Sequence, residues 1–166
     1  MTFNHDTASF DDWDQRAVDK LIFEEGQGQF ILRAHLFIER ILDTAIKRAL
    51  AHPDRLYSRN RPSFEFKVDL ARSLGVLPER LVSAIRALNS LRNNVAHSED
   101  LTLSPEQLKR LRVDWTSDQG KAFRGALRKS LVEGERIACL FLAWRCIHLV
   151  AKVSPPLKGD QRRADQ

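Results

Sequence analysis

The sequence predicts an all-α fold, an antiparallel bundle of four main helices plus short ones. Apolar residues recur at helical spacing along nearly the whole chain, and no segment alternates as a strand over more than a few residues. No Asn-Gly or Asp-Gly dipeptide offers a hairpin turn, and short connections favour antiparallel neighbours. With 166 residues, 43% of them hydrophobic and 30% charged, the composition is that of one globular domain able to bury its own core. The domain is expected over 9–153, between a flexible arm at 1–8 and a disordered tail at 154–166.

Each element has a local reason. Ser9, with Asp12 three residues on, caps a helix from Phe10 to about Glu25, where Phe10, Trp13, Ala17 and Leu21 share a face before Gly26 and Gly28. From Phe30 to about Ala51, Ala34, Phe37, Ile38, Ile41, Leu42, Ala45 and Ile46 make a broad apolar stripe, stopped at His52-Pro53. Residues 52–62 read as a loop with Arg55, Arg59 and Arg61 around Tyr57. This is either a solvated linker or a site of phosphate contact and base stacking. Ser63 opens a helix over Phe64–Leu74, which Gly75 closes, and Pro78 opens another that runs to His97. Ser104-Pro105-Glu106-Gln107 starts a short helix reaching about Val113. A long last helix is expected from Asp118 to about Val153, with Gly120, Gly125 and Gly134 as candidate kinks or close-packing points. From Ile137 to Ala151 it is apolar nearly all round, which predicts burial on several sides, one of them against a second subunit.

Composition narrows the function classes. No run approaches a membrane span, and MTFNHDTASFDDWD has neither the apolar core of a secretory signal nor the basic character of a transit peptide. A cytoplasmic protein without membrane partners is the expectation. Two cysteines, Cys139 and Cys146, cannot supply a disulfide framework or a structural zinc site by themselves, and they read as buried thiols. No metal-ligand spacing is present, so no metal or other cofactor is expected. Net charge is +5, yet residues 1–25 hold seven acids and two bases, or −5, which leaves +10 on the rest. A basic body is compatible with a nucleic-acid partner. Lys109, Arg110, Arg112, Lys121, Arg124, Arg128 and Lys129 form the candidate RNA-tracking patch. Glu133, Glu135 and Arg136 read as a solvated face, Trp115 and Trp144 as core, and His148 as a core or interface histidine. His35 and His52 have no partner pattern.

The chemically informative run is Leu88-Asn89-Ser90-Leu91-Arg92-Asn93-Asn94-Val95-Ala96-His97. On a helix, Leu81, Ala84, Ile85, Leu88, Leu91 and Val95 form the apolar stripe. Asn89, Arg92, Asn93, Ala96 and His97 share the stripe beside it. A permanent cation with a planar donor fork, two amides and an imidazole that titrates near neutrality suit phosphodiester chemistry. The same residues also suit a polar helix C-terminus.

Arg92-Asn93-Asn94-Val95-Ala96-His97 resembles the R-N-x-x-A-H form of the R-x-x-x-x-H motif of HEPN domains, and Leu88-Asn89-Ser90-Leu91 extends the similarity upstream. HEPN domains are all-α modules of prokaryotic defence and toxin–antitoxin systems, found also in some eukaryotic RNases. The segment Phe64–Leu77 is more weakly similar to HEPN-like bacterial proteins that include the mannitol-operon repressor family. The resemblance implies a metal-independent endoribonuclease, toxin-like in role, acting at a homodimer cleft. Arg92 would bind the scissile phosphate, His97 would transfer a proton or stabilise the 2′-OH, and Asn93 would fill the polar position after the Arg. Asn89, Arg55, Arg59 and Arg61 are the candidate substrate-binding residues, with RNA as substrate and an antitoxin or regulatory protein as a further partner. The alternative is a non-catalytic HEPN-like module, a transcriptional regulator or partner-binding protein.

Overall fold

A computed structural model describes residues 7–21, 28–58, 62–97 and 103–152. Among them the chain is helical throughout and has no strand: α1 (Phe10–Leu21), α2 (Gln29–Ala49), α3 (Pro53–Tyr57), α4 (Phe64–Ser73), α5 (Glu79–His97), α6 (Pro105–Lys109), α7 (Ser117–Lys129) and α8 (Leu131–Lys152). Here the predicted all-α class holds. The continuation of the first helix to residue 25, Gly26, Arg59, Arg61 and the tail at 154–166 lie outside the described residues, as does the arm up to residue 6. Ala8, at the end of that expected arm, packs against the core. No helix is long and apolar enough to cross a membrane among the described residues.

The bundle is organised around α2 and α8, which pack on each other and on most of the other helices. The stripe of α2 is buried as the periodicity predicts, from Phe30 and Ile31 through Ile38, Ile41 and Leu42 to Ile46. α4 and α5 cover one side of α2, α1 packs against both α2 and α8, and α6 and α7 close over α8. The apolar girth of α8 is therefore covered within one chain: Ala138, Leu142, Ala143, Ile147 and Val150 are all buried. The apolar excess that suggested a second subunit on this helix finds its partners in α1, α2 and α7 instead.

Caps punctuate the chain where the sequence put them, and at two further places. Ser9 and Asp12 form a reciprocal box at α1. Ser104 and Gln107 do the same at α6, and the Ser63 hydroxyl accepts from the Phe66 N–H at α4. Gly75 ends α4 with φ 71°, a left-handed conformation that a Cβ would disfavour. Thr116 and Gln119 box α7, which the sequence reading started one residue late, without its cap.

The long last helix is two helices. Ser130 adopts an extended conformation (φ −165°, ψ 163°) between α7 and α8. Its hydroxyl accepts the Glu133 N–H at 3.1 Å, so the residue that breaks the helix also caps the next one. The chain then folds α7 back along α8. Gly134 permits that approach: a Cβ there would lie 2.3 Å from Leu127 Cδ2 and 2.9 Å from its Cγ. Of the two roles expected for Gly134, the structure shows the close-packing point.

The 52–62 loop is partly helical, because Pro53 at the first position starts α3. Its Tyr57 is turned inward. The Tyr57 hydroxyl donates to Asp43 Oδ1 at 2.9 Å, and Lys47 Nζ lies 5.2 Å from the ring centre. Burial, with Asp43 beside it, pushes the Tyr57 hydroxyl pKa up. Asp43 also holds the buried Lys67 amine at 2.9 Å, and Glu39 holds it at 2.7 Å. The ring is committed to joining α2, α3 and α4 rather than to stacking on a base.

The face at 133–136 is not uniformly solvated. Glu135 is fully buried, and its carboxylate accepts N–H bonds from Gly28 (2.9 Å) and Ile31 (3.1 Å). It caps α2 from across the bundle, because Gly28, at φ 83°, has no side chain to cap its own helix. Arg136 pairs with Glu133 at 3.0 Å and lies over the Phe30 ring. Cys139 and Cys146 are buried free thiols whose pKa burial pushes up, as inert core thiols behave. Trp115 is buried and Trp144 half-buried, both against the core. His148 is exposed, with its ring 5.0 Å from that of Phe10, and is not a core residue.

Candidate functional site

The motif occupies the last two turns of α5. Leu81, Val82, Ile85, Leu88 and Leu91 bury the face that packs on α2, α4 and α8. The rotation between successive residues then brings Arg92 to the edge of that face, half-buried, and leaves Asn93, Ala96 and His97 exposed. Arg92 Nη1 donates to Asn93 Oδ1 at 3.1 Å. The bond engages the Asn93 amide oxygen, while its amide nitrogen, with two donors, has no partner among the described residues. His97 follows one turn after Asn93 on the same face.

The contrast with the other α5 cations is informative. Arg80 pairs with Asp114 at 3.5 Å, and Arg86 is held by Glu65 at 3.3 Å and Asp69 at 2.6 Å. Arg92 has no carboxylate among the described residues, and His97 has no hydrogen-bond partner there. One of the five Arg92 N–H donors is engaged, by Asn93, among the described residues. Among the described residues, neither the Arg92 nor the His97 side chain bonds to a backbone carbonyl at the end of α5.

Asn89 is used differently from the sequence expectation. Its Nδ2 donates to Glu65 Oε1 at 2.7 Å, and its Oδ1 faces His35 Nε2 at 2.9 Å. Both ends of the amide are engaged within the bundle, so Asn89 joins α5 to α2 and α4. Arg55 is exposed on α3, which packs on α2, and no hydrogen bond or ion pair links it to the α5 residues. Thus Arg92, Asn93 and His97 are brought together, Asn89 lies one turn behind them, and Arg55 stands apart. Arg59 and Arg61 are outside the described residues.

His35 was missed because its partner is 54 residues away in the chain. It is 5% exposed, and its ring stacks on Phe64 with centroids 4.1 Å apart. Glu65 accepts only, which fixes Asn89 with Oδ1 toward His35, so His35 Nε2 carries the proton. Nδ1 is left buried and without a partner. Protonation there would add a buried N–H that nothing accepts. Burial lowers the His35 pKa; the Asn89 bond and Glu39 oppose the shift, while Arg92 and Lys67 add to it.

A folded value below the ordinary 6.5 means that the unfolded chain takes the proton first on acidification. The stability contributed by neutral His35 is complete above that pH and is lost as the pH falls below it. Urea denaturation at pH 7.5 and 5.5 is expected to show a larger loss on acidification for the wild type than for His35→Gln. Equal losses would mean that His35 titrates alike in both states.

Among the described residues, no group of three or more His, Cys, Asp or Glu side chains is arranged to hold a metal ion. Compared with family models, curated proteins and solved structures, the chain matches none.

Proposed function

We propose that the protein is a HEPN-type endoribonuclease whose site is the exposed end of α5. The observation that carries this reading is the Arg92 guanidinium without a carboxylate partner among the described residues, bonded to the exposed Asn93 and followed by the exposed His97, on a helix whose other arginines are neutralised. Arg92 engages two oxygens of the scissile phosphate through its fork, and the Asn93 amide donates to the same group. The RNA 2′-oxygen attacks phosphorus, the bond from phosphorus to the 5′-oxygen breaks, and a proton passes from the 2′-hydroxyl to the leaving oxygen. His97 takes or supplies that proton. Removal and delivery occur on opposite sides of the phosphorus, which favours a homodimer in which two copies of the motif face one cleft and contribute one imidazole each. The motif's similarity to HEPN domains supports the same arrangement, and with it a toxin or defence role restrained by a protein partner.

The test is incubation of wild type, Arg92→Ala and His97→Ala with structured and single-stranded RNA in EDTA, with sedimentation to report the oligomer. Cleavage by the wild type alone, from a dimer, is the expected result. Folded protein that cuts no RNA yet binds a partner protein or DNA would replace the ribonuclease by a regulatory module of the same fold class.

A further inference from the structure

The outer face of α7 carries cations that the fold does not use. Lys121, Arg124 and Arg128 fall within one narrow arc of the helix, spread over about 10 Å of its length at 1.5 Å per residue, with Lys129 to one side. All four are exposed. Lys121 pairs with Asp118 at 3.1 Å, but Arg124, Arg128 and Lys129 have neither an ion-pair nor a hydrogen-bond partner among the described residues. Beside them runs an open groove of about 550 Å³ between α7 and α8, lined by Gly125, Arg128, Lys129, Glu133 and Ile137 among others. The one carboxylate on its rim, Glu133, is already engaged by Arg136 at 3.0 Å.

Two glycines on this helix have no internal purpose. A Cβ at Gly120 would meet only the tip of Arg124 at 3.4 Å, and one at Gly125 only the tip of Arg128 at 4.0 Å. Both are ordinary contacts with flexible groups, unlike the clash that Gly134 avoids. Glycine within a helix weakens it relative to alanine, so α7 is less stable than its packing requires. What the two positions offer is bare backbone under two unpaired guanidinium groups, where another chain can lie close.

From the cation stripe, the groove and the bare backbone together, we infer that α7 is a docking surface for the phosphodiester backbone of RNA, outside the Arg92–His97 site. A protein partner would need apolar anchors to bind with useful affinity. The exposed large apolar residues among those described are Phe10, Leu36 and Phe66, on α1, α2 and α4, and none is on α7. A polyanion needs only the unpaired charges and room to approach. With no exposed aromatic on the stripe to stack a base, recognition there is sequence-independent. The choice of RNA over other polyanions rests on the ribonuclease reading, whose substrate this surface would hold.

Binding of a labelled single-stranded RNA to His97→Ala, which keeps Arg92, separates docking from cleavage. In that background, Arg124→Glu/Arg128→Glu is expected to weaken binding about tenfold or more, and to lower the log–log salt slope by roughly 1.4, at about 0.7 per lost phosphate contact. Gly125→Ala is expected to raise the melting temperature while weakening RNA binding several-fold. A surface that is merely solvated would gain stability with unchanged affinity. DNA of the same sequence and polyglutamate of matched charge complete the set. Unchanged RNA binding in the double variant, or polyglutamate bound as tightly as RNA with the same dependence on Arg124 and Arg128, would overturn the inference. A wild type that cuts no RNA, combined with α7-dependent RNA binding, would remove the ribonuclease reading and leave this surface standing.

Discussion

Arg92→Lys is expected to lower RNA cleavage about 100–1,000-fold without unfolding the protein, the loss typical of removing one preorganised transition-state donor. Lysine keeps the charge but not the fork. Its ammonium cannot engage two phosphate oxygens in plane while orienting the Asn93 amide, as Arg92 Nη1 does at 3.1 Å. His97→Ala should be at least as damaging, because the proton then has no carrier. Neither change removes buried apolar surface or an ion pair: Arg92 is half-buried without a carboxylate among the described residues, and His97 is exposed. Thermal melts and sedimentation should therefore match the wild type. An Arg92→Lys protein that melts early or dissociates would make the residue structural. One that cleaves at the wild-type rate would move the catalytic centre elsewhere.

The sequence made most of this fold legible because most of it is written locally. The stripe of α2, the cap at Ser104 and the stop at Gly75 each depend on residues within a turn or two, and each is found in the structure. The break at Ser130 was missed although its signal is also local. Ser130-Leu131-Val132-Glu133 has the spacing of a capping box, but apolar residues continue at helical spacing on both sides of it. Thr116–Gln119 is the same kind of oversight.

The site divides along the same line. Arg92, Asn93 and His97 fall together because helical geometry alone puts them on one face. The environment around them is a matter of tertiary contact. Spacing cannot reveal that His35 meets Asn89, that Glu65 holds the other end of that amide, or that Arg86 is neutralised while Arg92 is not. The same limit applies to Glu135, which looks like one member of a charged surface turn and bonds to the backbone of α2 more than 100 positions away.

That bond carries the largest expected effect on stability. Glu135→Leu fills the space but strips the acceptor from the Gly28 and Ile31 N–H groups. Gly28 has no side chain with which to replace it, and the positive end of the α2 dipole loses its buried counter-charge. Each buried donor left unmet costs about 1–3 kcal/mol, offset in part because the carboxylate no longer has to be desolvated. A net loss of about 2–4 kcal/mol follows, or a fall in melting temperature of about 5–15 °C for a chain of this size. Glu135→Gln keeps one carbonyl oxygen for the two N–H groups and should lose about half as much. Its comparison with the wild type also carries a pH signature. Burial raises the Glu135 pKa above the ordinary 4.5, against the lowering effect of its backbone N–H bonds. The folded chain therefore holds that proton more tightly than the unfolded chain does. The contribution of Glu135 grows as the pH falls from neutrality through its folded value toward 4.5, opposite in sign to that of His35. Because glutamine does not titrate, the stability gap between wild type and Glu135→Gln should widen on acidification in urea denaturation. A gap that narrows would show that the N–H bonds of α2 outweigh desolvation and that the buried carboxylate prefers its charge.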